Sequence, residues 1–293
     1  MSRAVIAAMT AYTLELRHAE VKLNQNESPF DLPPSLKQEA LARVAERPWN
    51  IYPDFESLAL REAIARAEGL DAQNVLVGNG SNELLAAVRE HEAAVVIVCS
   101  PNNPTGGVLP AGGVEALLAT GATLLLDRAY GDFDVDADVP PPAPNLVTFR
   151  TFSKAWGLAA LRIGWLMSTA ANCAEVRKVK LPYSLNIVSE AIAVAALGHP
   201  ELRDANVAAT IAERARMLEA MRAIDGVTPF PTRANFIAFR TRCEAKSVFE
   251  ALHARGILVR DISSAPRMQQ SLRVSIGTVE QNDRFLATLK EIA

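Results

Sequence analysis

The order of apolar and polar residues predicts alternating strands and helices over the first two thirds of the chain. The apolar run 93–99 and the run 122–130 are each bounded by turn residues, which is typical of strands that are buried on both faces. Helical spacing extends over 34–47, 55–68 and 82–91, with a proline or a glycine ending the first two segments. This alternation continues to about residue 168 and predicts an α/β fold, a mainly parallel sheet covered by helices.

The last third of the chain has a different pattern. The segment 201–223 reads as one long helix that is rich in Ala, Arg and Glu, and the strands predicted after it cover 235–240, 257–262 and 272–276. Helical segments flank these strands, so we predict a smaller α+β domain at the C-terminus. The predicted division is an N-terminal arm on the small-domain side (residues 1–30), a large domain (31–200) and a small domain (201–293).

Three polar side chains follow the predicted strands of the large domain. Asn103, Asp127 and Lys154 each come just after the end of an apolar run. Ligands of open α/β sheets bind beyond the carboxyl ends of the strands, so an amide, a carboxylate and an amine are expected to converge there.

The segment Thr151–Trp165 contains a lysine between hydroxyl residues, followed by an arginine. Lys154 could be the attacking amine of a Schiff-base enzyme, provided that its surroundings lower its pKa. Ser153 and Arg162 could hold a phosphate through a hydroxyl and a planar guanidinium fork. The alternative for this segment alone is an ordinary strand–helix turn with a solvated lysine and a surface arginine.

Several motifs together resemble the fold-type I pyridoxal-phosphate aminotransferases, and among these the histidinol-phosphate aminotransferases. The resemblance extends from about Leu23 to the C-terminus. Besides the lysine segment, the motifs are Asn24–Pro29, Tyr52–Asp54, Gly78–Glu83, Pro101–Gly106 and Leu272–Thr278.

The resemblance implies a role for each polar residue near the cofactor ring. Lys154 would form the Schiff base with pyridoxal 5'-phosphate and then move the proton of the substrate. Asp127 would pair with the pyridine nitrogen, while Asn103 and Tyr130 would hydrogen-bond the ring oxygen. Taken singly, Asp127 could instead be a helix cap and Tyr130 a core residue.

The resemblance also implies how the cofactor phosphate and the substrate are held. Tyr52 would reach the cofactor phosphate of a neighbouring subunit, which implies a homodimer with shared active sites. The remaining implied phosphate ligands are Gly80, Ser81 and Asn82 at a helix start, Ser153 and Arg162. The implied substrate-binding residues are Asn26, Arg260 and Arg273. For Arg260 an ion pair with a nearby acid, and for Arg273 a surface position on a strand, are the alternatives.

One interval departs from that family. The segment from Ser81 to Asn103 is several dozen residues shorter than in the family, where it supplies a strand–helix–strand unit and an aromatic residue that stacks on the cofactor ring. This chain has no Tyr, Phe or Trp in the interval. Trp156 could take that place but is expected to be a core residue. Arg128 is a smaller departure, since the family usually has Glu there.

Composition agrees with a cytoplasmic enzyme. The net charge is −3 and 49% of the residues are hydrophobic, so neither nucleic acid nor a membrane is an expected partner. The three cysteines are far apart and odd in number, which argues for reduced thiols. The four histidines lack metal-ligand spacing, so no metal is predicted. The apolar part of residues 1–10 is too short for a signal peptide.

The predicted function is therefore transfer of an amino group from an amino donor to a 2-oxoacid. The resemblance points to histidinol phosphate and 2-oxoglutarate, the substrates of a step in histidine biosynthesis. Another amino-acid aminotransferase and a phosphothreonine decarboxylase of the same fold are the nearest alternatives. A non-catalytic paralogue, which lost part of its site with the shortened interval, is the alternative from a different class.

Overall fold

The computed structural model describes residues 17–91 and 95–293, and its centre is a five-stranded sheet. The strands of this sheet, in chain order, are β2 (Val75–Asn79), β3 (Val95–Cys99), β4 (Thr123–Asp127), β5 (Leu146–Thr151) and β6 (Ile163–Met167). Their spatial order is β2-β6-β5-β4-β3. Only β6 is antiparallel to its two neighbours, so the other four strands run in one direction. The predicted mainly parallel sheet is confirmed.

Helices cover this sheet on both faces. They are α1 (Pro34–Ala45), α2 (Leu58–Glu68), α3 (Ser81–His91), α4 (Gly113–Leu118), α5 (Ala170–Val179) and α6 (Ile187–Leu197). In β2, Val75 and Val77 pack with α1, α2 and α6, whereas Leu76 between them packs with residues of α3 and α5. Alternate side chains therefore enter separate cores, which is why the strand sequences are apolar without interruption.

The start of α2 differs from the prediction for a physical reason. The helix begins at Leu58 and not at Phe55, because the Asp54 carboxylate accepts the backbone N–H groups of Glu56 and Leu58 at 3.0 and 2.7 Å. A side chain that satisfies these donors marks the beginning of a helix. The turn before it includes Ser57 at φ 46°.

The small domain is built on an antiparallel sheet with the order β10-β11-β8-β7. Its strands are β7 (Val227–Pro229), β8 (Phe236–Thr241), β10 (Arg260–Asp261) and β11 (Ser271–Ser275). The helices α7 (Pro200–Arg222), α8 (Ala245–Ala254) and α9 (Val279–Ile292) supply side chains to the core beside it. The division of the chain at residues 30 and 200 stays a prediction.

The strand predicted over 257–262 is wrong in one respect, because it is two short strands. The first, β9 (Ile257–Leu258), pairs in parallel with β1 (Val21–Lys22) near the N-terminus, and β10 pairs with β11. The chain leaves one sheet and enters the other between Leu258 and Arg260. The arm before residue 30 thereby contributes a strand partner to the C-terminal part of the chain.

Strand β3 forms one edge of the five-stranded sheet. It pairs with β4 through all five of its residues.

Among the helices of the described part of the chain, none is long and apolar enough to cross a membrane.

Candidate active site

A cradle for an anion lies where β2 meets α3. Gly80 connects them at φ +77°, and a Cβ at that position would lie 2.8 Å from Nη2 of Arg162. A Cβ on Gly164 would approach the backbone nitrogen of Ser81 to 2.2 Å. The two glycines therefore allow a guanidinium and a neighbouring strand to approach the first turn of α3, whose unpaired N–H groups attract anions. Asn82 in that turn is exposed.

Hydroxyl groups complete this cradle from the lysine segment. The Thr151 and Ser153 hydroxyls are 3.0 Å apart, and Thr151 also accepts the backbone N–H of Ser153 at 3.1 Å. Arg162 donates to the carbonyl of Ala159 at 3.1 Å and lies 3.4 Å from the Ser153 hydroxyl. Within residues 17–91 and 95–293 no carboxylate pairs with Arg162. An exposed arginine beside hydroxyls and a helix start fits a phosphate.

Lys154 lies in a shielded position beside the N-terminal arm. Its Nζ donates to the carbonyl of Gln25 at 3.1 Å and is 5.6 Å from the ring centroid of Tyr130. Burial lowers the pKa of Lys154 to about 8, and the positive charges of Arg273 and Arg162 act in the same direction. A much larger fraction of this amine is therefore neutral near neutral pH than for an exposed lysine.

Asp127 ends β4 as a largely buried carboxylate. Its Oδ1 accepts the backbone N–H of Ala129 at 2.9 Å, so it stabilises a local turn, and no α-helix begins there. Burial raises the pKa of Asp127, and in the described part of the chain it has no cationic partner. A buried carboxylate of this kind fits a ligand that brings its own positive N–H group.

Arg273 joins the two halves of the site. It lies on β11, is 8% exposed, and its Nη1 donates to the side-chain oxygen of Asn103. Its Nη2 donates to the carbonyl of Asn24 at 2.9 Å, and the guanidinium carbon is 5.2 Å from the ring centroid of Phe236. Arg273 is thus not a surface strand residue, and the structure brings it to Asn103 as well as to the neighbourhood of Lys154.

Asn26 and Tyr130 form a buried link between the arm and the large domain. The Asn26 side chain donates to the Tyr130 hydroxyl at 3.0 Å, and Asn26 is 1% exposed. Its backbone N–H donates to Ser275, and its carbonyl accepts from Asn235. The protein itself therefore satisfies Asn26, and its most direct effect is to orient Tyr130. Burial raises the pKa of Tyr130, which keeps the hydroxyl protonated.

Sequence reasoning missed the supporting residues of this link. Asn235 and Ser275 hold the Asn26 backbone, and Gln25 contributes only a carbonyl to Lys154. Their roles depend on the left-handed backbone at Asn26 (φ 54°), which no sequence pattern shows. Ser275 ends a strand that also contains Ser271 and Arg273, so no pattern of the sequence singled it out.

Arg260 and Tyr52 lie at the margins of the site. Arg260 is directly opposite Arg273 on the antiparallel pair of β10 and β11, so the two side chains share one face of the sheet. Tyr52 is 77% exposed, and its ring stacks on Tyr183 at a centroid distance of 4.7 Å.

Trp156 does not replace the missing stacking residue. It is buried in the core with Phe152, and the Arg203 guanidinium lies 4.9 Å from its ring centroid. The expectation that Trp156 is a core residue is confirmed. Over the residues that the structure describes, no cluster of His, Cys, Asp and Glu could hold a metal ion.

The comparison with known families decides the identity of this site. The model of the family "Aminotransferase class I and II" matches residues 19–89 and 82–289. The chain belongs to the class I and II aminotransferases. The two matched segments overlap over residues 82–89 of α3, within the interval predicted to be shortened. The α/β fold and the assignment as a pyridoxal-phosphate-dependent aminotransferase are confirmed.

Individual relatives support the same family assignment. This aminotransferase is 32% identical to histidinol-phosphate aminotransferase of Chlorobium chlorochromatii (strain CaD3) over 333 aligned positions, which cover 94% of this chain and 92% of the relative. The histidinol-phosphate aminotransferase of Sinorhizobium meliloti, solved in complex with pyridoxal-5'-phosphate, superposes with a TM-score of 0.82 at 25% identity, covering 94% of this chain and 91% of that one.

A second solved structure is similar in fold alone. The L-threonine-O-3-phosphate decarboxylase of Porphyromonas gingivalis superposes with a TM-score of 0.82 at 21% identity, over 92% of this chain and 98% of that one. The fold therefore does not distinguish amino-group transfer from decarboxylation. Evidence for one reaction over the other comes from the site and from the sequence relatives.

Proposed function

We propose that this aminotransferase moves the amino group of histidinol phosphate to 2-oxoglutarate. The observation that carries the proposal is the placement of Arg273, whose guanidinium lies beside Asn103 and, after burial, is the largest cause of the lowered pKa of Lys154. Arg260 shares its face of the sheet. Two arginines on one face of a sheet can bind an anionic group through their planar guanidinium forks. Histidinol phosphate and 2-oxoglutarate both carry an anionic end.

The residues of the site fit pyridoxal phosphate. Arg162, Ser153 and the first turn of α3 would hold its phosphate, and Asp127 would accept a hydrogen bond from its ring nitrogen. When bound, the cofactor supplies an electron sink for breaking bonds at the substrate carbon that carries the amino group. Asn103 and the protonated Tyr130 hydroxyl face the same region and can donate hydrogen bonds to the ring oxygen.

Lys154 is proposed to hold the cofactor and to move the proton. With a pKa near 8, Nζ can accept a proton from the substrate carbon and return it during turnover. The Gln25 carbonyl orients Nζ in the resting structure. Arg273 would keep the substrate carboxylate or phosphate at a fixed distance from that amine, which is the positioning that proton transfer requires.

A homodimer is part of the proposal. The Tyr183 ring contacts the rings of Tyr52 and Phe55, and Phe55 and Leu181 line one pocket. We call these large exposed side chains the aromatic surface: Tyr52, Phe55, Leu181 and Tyr183. Contiguous apolar surfaces of this kind commonly mark protein interfaces. A second copy packed there would bring its own Tyr52 towards the neighbouring cofactor phosphate. The free cysteines Cys99, Cys173 and Cys243 support a cytoplasmic location.

The test is an assay of glutamate formed from histidinol phosphate and 2-oxoglutarate by the purified protein loaded with pyridoxal phosphate. Turnover that is faster with histidinol phosphate than with other amino donors supports the proposal. Release of carbon dioxide from phosphothreonine without glutamate formation would favour the decarboxylase alternative. Absence of any spectral change upon addition of amino donors would favour the non-catalytic paralogue.

A further inference from the structure

The edge of the central sheet is unusual in this chain. Strands β5 and β6 are buried along their whole length, whereas no residue of β3 is fully buried and Ile97 at its centre is 48% exposed. Val96 and Val98 pack partly against Leu124 and Leu126 on one face. On the other face Val95 and Cys99 are also partly buried, and Ile97 between them is exposed. The strand is thus apolar in all five positions and uncovered at its centre.

The outer edge of β3 also carries backbone groups that need partners. The ladder to β4 uses one edge over the full length of the strand, from Val95 to Cys99. In the sheet of the described residues, β3 is a terminal strand, so its other edge has no neighbouring strand. An unpaired row of N–H and C=O groups is a template for another strand.

This edge lacks the features that usually protect an edge strand. Val95–Cys99 contains no charge, no proline and no glycine, and its ladder with β4 is regular without a bulge. The strand lies within the shortened interval from Ser81 to Asn103, and the two segments that match the family model overlap at residues 82–89, shortly before it. The alignment with the Chlorobium chlorochromatii relative has 333 positions, although this chain has only 293 residues and is covered to 94%. That relative therefore has residues that this chain lacks.

We infer that β3 pairs antiparallel with β3 of a second copy of this chain, about a two-fold axis at Ile97. Ile97 is the third of five residues, so such an axis places it opposite itself, Val96 opposite Val98, and Val95 opposite Cys99. Every cross-strand pair is apolar, and no like charges meet, so the strand is complementary to itself in shape and charge. The two sheets would then form one continuous sheet of ten strands.

A second copy fits this edge better than an unrelated peptide would. One two-fold contact satisfies both exposed edges and ends there, because a closed isologous contact leaves no further edge of this kind. The aromatic surface lies at the other side of the sheet, since Phe55 and Leu181 border β2 residues Leu76 and Val77. The two contacts are therefore separate and can be tested separately.

Cysteine cross-linking tests the register directly in the full-length protein. In a background with Cys99→Ala and Cys243→Ser, Ile97→Cys should form an intermolecular disulfide under mild oxidation, because residues opposite each other on antiparallel strands have Cα atoms within disulfide range. Val96→Cys and Val98→Cys are the matched controls. Each would face a valine of the partner, so neither should cross-link. Cross-linking at 96 or 98 but not at 97 would overturn the proposed axis.

Molar mass by light scattering gives an independent test. Ile97→Lys should at least halve the mass of the particle, because it removes one two-fold contact from every chain, while Ile97→Val should leave the mass unchanged. Circular dichroism checks that Ile97→Lys is folded. An unchanged mass for Ile97→Lys, together with no disulfide at position 97, would refute the inference. If only the contact through the aromatic surface, which contains Tyr52, is absent, the homodimer of the proposed function is wrong and this inference is unaffected.

Discussion

Arg273 on the C-terminal sheet donates a hydrogen bond to Asn103 of the large domain, although 170 positions separate them in the chain. The cis peptide bond after Asn103 and the small-domain loop that contacts Gly106 lie beside this pair. An arginine that is held on one side by Asn103 and on the other by the Asn24 carbonyl has a fixed orientation. We therefore expect it to contribute to the binding of both substrates.

Replacement of Arg273 should weaken both half-reactions. Arg273→Ala should raise KM for histidinol phosphate and for 2-oxoglutarate and lower kcat/KM by roughly 10- to 100-fold, as expected for losing about 1.5–3 kcal/mol from a charged hydrogen bond. Steady-state kinetics measure this. Arg240→Ala on the neighbouring strand β8 is the matched control, because that arginine is exposed and its described ring contact is with Phe230. A variant with normal KM for both substrates would remove Arg273 from the site.

Replacement of Lys154 should abolish turnover without unfolding the protein. Lys154→Ala should lose the visible absorbance of the bound cofactor and all glutamate formation, because both depend on the amine. Lys180→Ala serves as a control, since Lys180 is also a partly buried lysine but bonds to Ser184. Full activity of Lys154→Ala would refute the assignment of the family's lysine to this residue.

The lowered pKa of Lys154 has a consequence for stability in the absence of cofactor. The folded pKa is about 8, below the ordinary value of 10.5, so folding disfavours the protonated amine. This destabilisation is complete below pH 8 and disappears as the pH rises towards 10.5. Lys154→Met should therefore stabilise the apo-protein at pH 7 by up to about 3 kcal/mol, and by less at pH 9.5. Urea denaturation at the two pH values measures the difference. An equal gain at both would show that packing, and not charge, is responsible.

Asp127 should control turnover more than retention of the cofactor. Asp127→Ala should keep some cofactor but lose most activity, and its cofactor affinity should fall by about 1.5–3 kcal/mol, as for a charged hydrogen bond. Asp127→Asn keeps the shape and the acceptor for the Ala129 N–H, so it separates the charge from the local turn. If both variants retain normal kinetics, Asp127 acts only in that turn.

Cofactor affinity should reflect the shortened interval. Stacking on an aromatic ring contributes roughly 1–3 kcal/mol in comparable contacts, so we expect pyridoxal phosphate to bind about 10- to 100-fold more weakly than in full-length relatives. Titration of the apo-protein, followed by absorbance, gives the dissociation constant. Affinity equal to that of the relatives would mean that another group covers the ring.

The large domain could be predicted well because its strands are buried on both faces. An uninterrupted apolar run such as 122–126 has few other interpretations, and the polar residue at its end falls where open sheets place their ligands. The prediction of Lys154, Asp127 and Asn103 as site residues rests on this pattern. The exact start of α2 could not be predicted, because it depends on which way the Asp54 side chain turns.

The contribution of the N-terminal arm was harder to predict. Its strand β1 has two residues, and β9 on the other side of the pair has two as well. Such short strands have no periodicity, so their pairing depends on tertiary contacts alone. For the same reason the bonds from Asn26 to Tyr130 and from Asn235 to Asn26 appear only in the folded structure.

The pairing of Val21 with Ile257 joins two segments of the chain that are synthesised at very different times. During translation the arm leaves the ribosome long before its partner strand exists, so it spends most of that time without the contact that holds it in place. Closure of this very long loop must come late in folding. Truncated chains that stop before residue 257 would therefore expose Leu23 and the polar segment Asn24–Pro29 that follows it. In such chains Lys154 would lack the carbonyl of Gln25 as a hydrogen-bond acceptor.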